Sequence, residues 1–191
     1  MKKYLIISIL VLSLNASAAN QSDLVGLTKI TSQSISKGLD LSNADLRNYQ
    51  LTSDKVNLQN ANLSHANLNH VNLAKVNLTY ADLSYANLEN ANLANANLTN
   101  ANLDHANLTN ATLHEANLSN AQLNSSALIG ADLQNANLSR ANFTCANFNN
   151  ANLTRADVSE ANISSATFTN TITADILNYD SVVDEKVHCE G

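Results

Sequence analysis

From residue 58 to residue 168 every fifth position carries a large apolar side chain, Leu at nearly all of them and then Phe143, Phe148, Leu153, Val158, Ile163 and Phe168. Two residues before each stands a small residue, Ala in most units, with Val56, Val71, Val76 and Ser126 as the departures, and Asn or Asp almost always lies between the two. The consensus unit is A(N/D)LXX, and its large central residue recurs twenty-three times without a break. Three more units precede the run out of phase, centred on Leu41, Leu46 and Leu51, with Leu39, Ala44 and Tyr49 in the small position. Counting Asp54 and Lys55 as two extra residues, a bulge in the wall, restores the later register.

A beat of five matches neither the 3.6 of a helix nor the 2.0 of a strand, so either element would scatter these leucines over all its faces. The backbone must instead return to the same orientation every five residues. If each unit forms one side of a square and four units close a coil, the central and small positions point inward and the other three outward. Each coil then pairs with its neighbours at the strand spacing of about 4.8 Å. The pattern predicts an all-β parallel β-helix, a solenoid of about 6.5 coils and on the order of 30 Å tall. Alanine provides room, because a second bulky residue per side would overpack the tube at about 1–3 kcal/mol. Asn57, Asn77, Asn97, Asn117 and Asn137 recur every twenty residues, which predicts an amide ladder hydrogen-bonded along the stack.

Tandem A(N/D)LXX units over residues 39–170 closely resemble the pentapeptide-repeat family. The resemblance implies a right-handed quadrilateral β-helix, and it implies little about activity because the family's roles are diverse.

Both ends of such a stack expose unpaired backbone and need covering. Residues 19–38, with Leu24, Val25, Leu27, Ile30 and Ile35, are expected to form an N-terminal cap with a short helix. The motif fails after Phe168, where Thr173 takes the next central position, so residues 171–191 are expected to form a C-terminal cap, helical near Ile172, Ile176 and Leu177, and an acidic tail. Residues 1–18 have the marks of a secretory signal: Lys2 and Lys3, an apolar run from Leu5 to Leu14, and the small-x-small triplet Ala16-Ser17-Ala18. That run is shorter than the roughly 20 apolar residues of a membrane span. Cleavage near Ala18 would leave a periplasmic or secreted chain with no membrane span; a retained N-terminal anchor is the alternative.

Charge narrows the partners. Residues 19–55 hold four acids and four bases, residues 56–170 seven acids and three bases, and residues 171–191 five acids and one base. No basic stripe is present to hold nucleic acid or an anionic membrane.

Candidate chemistry is sparse. One outward column runs His65, Tyr85, His105, Ser125, Cys145 and Ser165. Zinc ligands must all lie about 2.0–2.3 Å from one ion, and His65 and His105 stand two coils apart, so these read as surface histidines, as do His70 and His114. A convex prism offers no water-excluding pocket, and no nucleophile-elbow or phosphate-loop motif occurs, so no enzyme, cofactor or metal is expected. Cys145 and Cys189 are a disulfide pair in an oxidising compartment, or else two separate thiols. Ser125–Gly130 is an irregular patch in which Ile129 and Gly130 form a partner-contact spot, or else drift in a tolerant repeat.

Three functional classes remain. The first is an exported, non-enzymatic binding or structural module presenting rigid polar faces to a protein or envelope partner. The second follows from the resemblance: quinolone-resistance pentapeptide proteins imitate DNA and bind DNA gyrase as dimers, which would also imply a homodimer through the C-terminal cap. Export and the weakly acidic wall both oppose it. The third is ice or carbohydrate-surface binding through the column Thr79, Thr99, Ser119, Ser139 and Ser159, a column roughened by Tyr80, Arg140 and Glu160.

Overall fold

The computed structural model describes residues 39–47, 51, 57–184 and 189. The signal at 1–18, the cap at 19–38 and the bulge at Asp54 and Lys55 lie outside the described residues.

One unit explains the rest, because all five of its N–H groups find acceptors. The Asn97 N–H donates to Val76 O of the coil below (3.0 Å), and the Leu98 and Asn100 N–H groups donate to Asn117 O (2.7 Å) and Ser119 O (3.0 Å) of the coil above. The Ala101 N–H closes the corner onto Leu98 O at 3.0 Å. The remaining donor, the Thr99 N–H, is taken by the side-chain Oδ1 of Asn97 at 3.1 Å. This is an Asx turn, and it is why Asn or Asp precedes the central residue in most units: a five-residue side leaves one donor that the backbone of the neighbouring coils does not take. The corner residue before each Ala is left-handed, with φ of 52–63° at the non-glycine corners and 67° at Gly130. A positive φ at the third residue of a four-residue turn is the type II arrangement, which favours Asn and Gly.

Repeated every five residues, the unit builds four columns of parallel bridges. One runs Asn57, Asn77, Asn97, Asn117, Asn137, Asp157, Leu177, and the next runs from Asp40 through Asn62 and Asp82 to Asn162 and Val183. Partners are twenty residues apart throughout the main run. Below it the offset is twenty-two, as in Asp40 with Asn62 and Asp45 with Asn67. Leu51 still donates to Asn72 O in the wider register, whereas Leu58 donates to Asn77 O in the narrower one, so the two extra residues fall between Leu51 and Leu58.

Inside the tube the central Leu side chains from Leu63 to Leu138 are 0 % exposed and the small residues are 0–1 % exposed. Ser126, the polar departure, is buried but satisfied, its hydroxyl donating to Leu123 O at 2.8 Å. Phe143 and Phe148 pack edge to face at 5.0 Å, and Phe148 stacks on Phe168 at 5.0 Å.

Two expectations change. The amide ladder is largely replaced by the Asx turns: among the described residues the Asn57 column shows no side-chain bond between Asn57, Asn77, Asn97, Asn117 and Asn137, and each of the five caps its own turn. Bonds along the stack occur on the next column, Asn102 Nδ2 to Asp82 Oδ1 (3.2 Å) and Asn142 Nδ2 to Gln122 Oε1 (3.4 Å), and on the third, Asn107 Nδ2 to Asn87 Oδ1 (3.4 Å).

The C-terminal end also differs. The helix expected near Ile172, Ile176 and Leu177 gives way to wall: Ile172, Leu177 and Val183 bridge to Asn152, Asp157 and Asn162. Backbone pairing onto a finished coil needs no central Leu, so the ladder outlasts the motif. The only helical turn among the described residues is the 3-10 segment Tyr179–Ser181, which accommodates one extra residue in the last side.

Candidate binding surfaces

Outward columns are set by the corners, so side chains twenty residues apart lie one above another. At one corner the Tyr85 ring is sandwiched between His65 (4.9 Å, 6°) and His105 (4.7 Å, 8°). The rings pile along the tube axis at the coil spacing and cover one another's faces. His70 and His114 lie on other sides, with His114 Nε2 3.9 Å from Glu115 Oε1. No group of three or more His, Cys, Asp or Glu side chains suited to a metal ion occurs among the described residues.

The same column continues to Cys145, which is disulfide-bonded to Cys189 (S–S 2.00 Å, Cα–Cα 5.6 Å). The bond fastens the chain's last residues to a corner of the tube. Ile129 is half-buried rather than exposed, and its carbonyl accepts the Asn110 N–H at 2.8 Å. Its unit carries Ala127 at the Asn/Asp position, so the Asx acceptor is missing, and no partner for the Ile129 N–H is found among the described residues. Gly130 occupies the corner below Asn150 with φ 67°, where an added Cβ would lie 2.5 Å from Asn110 Oδ1.

Three hydroxyls of the Thr79–Ser159 column are engaged within the wall. Thr79, Thr99 and Ser159 donate to Asn77, Asn97 and Asp157 of their own turns, which spends the donors an ordered water or sugar layer would need. Beside it Arg140 holds Glu160 through two bonds of 3.0 and 3.1 Å. Those hydrogen bonds, and then the guanidinium charge, keep the Glu160 carboxyl below its ordinary range and raise Arg140. Asp157 is lowered first by the Ser159 hydroxyl and next by the Asn178 amide, which donates at 2.9 Å.

Among the described residues the interior opens at the C-terminal end. Thr173 replaces a central Leu, and Asn178, at the next central position, is left-handed (φ 59°) with its amide turned out to Asp157. An apolar hollow of about 280 Å³ results, floored by Phe148, Val158, Ile163 and Phe168 and edged by Thr173 and Tyr179. Exposure of the central residues rises toward it, from 0 % at Leu138 to 4 % at Val158 and 7 % at Ile163. Ile172, Leu177, Tyr179 and Val183 stand 45–55 % exposed around the same end. The sequence signal was Thr173; nothing in the pattern foretold the turning of Asn178.

A continuous tube of stacked five-residue sides defines a solenoid repeat protein. The sequence model for pentapeptide repeats matches residues 57–93, 91–128, 121–159 and 131–170, eight copies in all, and the chain belongs to that family, whose fold is the right-handed quadrilateral β-helix. Among solved structures it is similar to HetL, a pentapeptide repeat protein involved in heterocyst differentiation regulation from the cyanobacterium Nostoc sp. strain PCC 7120, at 25 % identity over 72 % of this chain and 86 % of that one, TM-score 0.35. It is similar to alr5209, also from Nostoc, at 28 % identity over 65 % and 84 %, TM-score 0.31. It is similar as well to QnrB1, a plasmid-mediated fluoroquinolone resistance protein, at 19 % identity over 76 % and 77 %, TM-score 0.46. Among curated proteins nothing matches. No helix among the described residues is long and apolar enough to cross a membrane.

Proposed function

We propose that the protein is an exported, non-catalytic binding or structural module, a rod of about 6.5 coils whose polar faces engage a protein or envelope component. The observation that supports it most is the wall itself: flat faces most of whose backbone donors are taken by neighbouring coils and Asx turns, presenting regular columns of side chains. The signal-like start with cleavage near Ala18 supplies export, and the Cys145–Cys189 bond suits an oxidising compartment. In this reading residues 19–38 cap the first coil, the disulfide holds the tail against the wall, and Ile129 with Gly130 is the contact spot on it. A homodimer through the C-terminal end would cover Ile172, Leu177, Tyr179 and Val183. The gyrase-binding alternative fits less well, because seven acids against three bases over residues 56–170 make no phosphate-like array.

The test is to fractionate cells expressing the full chain and sequence the amino terminus of the product. An envelope or secreted product beginning near Ala19 is expected. An intact chain confined to the cytosol would remove export and return the gyrase reading to first place.

A further inference from the structure

We infer that the Cys145–Cys189 disulfide is a redox latch: a two-cysteine thiol reductant opens it and thereby releases the final coil, residues 171–184, from the tube. Lower coils are held by their interiors; the one centred on Leu83, Leu88, Leu93 and Leu98 buries all four side chains completely. None of residues 171–184 is buried, and only Thr171, Ile176 and Val182 are half-buried. What else holds this segment is backbone pairing at the open edge, with the Ile172, Leu177 and Val183 N–H groups on Ala151, Ala156 and Ala161 O at 2.9 Å each. A segment that removes so little apolar surface from water opens at low free energy unless it is fastened.

The fastening comes from outside the ladder. Val183 stands on Asn162, which stands on Asn142, along the side that ends at the Cys145 corner. Cys189 nevertheless bonds to Cys145, with its Sγ 4.0 Å from Ser165 O, so the chain's end lies below the edge that Val183 forms. Cys189 is exposed and Cys145 half-buried, which leaves the bond open to an attacking thiolate. One thiolate of the reductant attacks Cys189 Sγ; a mixed disulfide forms as the Cys145–Cys189 bond breaks and Cys145 leaves as thiolate. The reductant's second thiolate then attacks its own sulfur in the mixed disulfide and frees the Cys189 thiolate. The reductant departs oxidised by two electrons, and the two cysteines take up the protons its thiols gave up. The fold favours this direction as well: reclosure depends on how often Cys189 returns to Cys145, and a tail with no buried residue to seat it keeps that effective concentration low. Release uncovers Ile163 and Phe168, which share the C-terminal hollow with Ile176 and Val182 in the closed chain. The inference does not depend on which partner the walls engage.

The test uses the purified chain under native conditions, oxidised, reduced with dithiothreitol, or equilibrated in a glutathione buffer at cytosolic poise. Alkylation and mass spectrometry read the state of the bond, and amide hydrogen exchange reads the release. Reduction in both reagents is expected, with exchange over residues 171–184 at least tenfold faster, residues 96–120 unchanged, and protection restored on reoxidation. Cys189→Ser should show the same fast exchange over 171–184 with no reductant present and no further response to one. A bond that stays closed in the glutathione buffer is a permanent staple and would overturn the latch. Unaltered exchange over 171–184 in the verified dithiol form would overturn the release. Acceleration over 96–120 as well would show that the bond holds the whole tube together, again contrary to the proposal.

Discussion

At the residue scale the decisive group is the Asn or Asp carbonyl oxygen that receives the N–H two residues on. Without it a half-buried donor in each side loses its partner, at about 1–3 kcal/mol, and the corner loses its local tether. The wall contains its own natural deletion at Ala127, where the Ile129 N–H has no such acceptor. Ala127→Asn is expected to raise stability by about 0.5–1.5 kcal/mol, read as a higher denaturant midpoint at constant slope; no gain would show that the Asx turn contributes nothing here. At Gln122, which also breaks the motif, the loss is repaired from the coil below: the Asn124 N–H goes to Asp104 Oδ1 at 2.8 Å. Asp157 carries a pH dependence. Its carboxyl is lowered in the folded chain by Ser159 and Asn178, so the stability it contributes is present above the ordinary Asp value of about 3.9 and is lost as pH falls through the lower folded value. Amide hydrogen exchange around Leu177 and Asn178 should therefore accelerate below about pH 4 in the native chain, after correction for intrinsic rates, and Asp157→Asn should flatten that dependence.

At the element scale the coil is a closed layer, and its stability comes from the central residue. Leu98 is fully buried between Leu78 below and Leu118 above. Leu98→Ala should cost about 2–5 kcal/mol, near the upper end because the ladder prevents the walls from closing on the void. A matching truncation of Ile163, which already borders the hollow, should cost less, and thermal unfolding of the two variants provides the comparison. This scale also shows what the sequence made legible. The alternation of Ala and Leu around Asn dictates which residues face inward, and twenty-three unbroken units leave one consistent arrangement. The two-residue register shift was visible for the same reason. The end was not: Ile172 and Leu177 looked like one face of a helix, yet the edge of a completed coil offers unpaired acceptors such as Ala151 O and Ala156 O, and the chain pairs with them at 2.9 Å each. Neighbouring backbone, not side-chain pattern, decides where a solenoid stops.

At the scale of the whole molecule the protein is a rod with unlike parts: walls that are polar, regular and nearly neutral, and a C-terminal end that is apolar and open. The Cys145–Cys189 bond spans 44 residues of chain that include the upper coils, so in the chain-entropy view closing it stabilises that end by about 4 kcal/mol. Cys145 and Cys189 were legible in the sequence as a candidate pair. The hollow was only half legible, because Thr173 was visible as a break and the outward turn of Asn178 depends on Asp157, a partner twenty-one residues away.

All of this rests on twenty residues making one circuit. Spin labels on cysteines introduced in pairs within single columns, with the native disulfide left intact, test that most directly by pulsed electron–electron dipolar spectroscopy. Labels at Asn90 and Asn170, four coils apart, should lie about 19 Å from each other, and labels at Asn60 and Glu160, five coils apart, about 24 Å, the increment being one strand spacing of about 4.8 Å. Distances that fail to grow by that increment with each added coil, or that spread broadly beyond about twice these values, would contradict the four-sided stack.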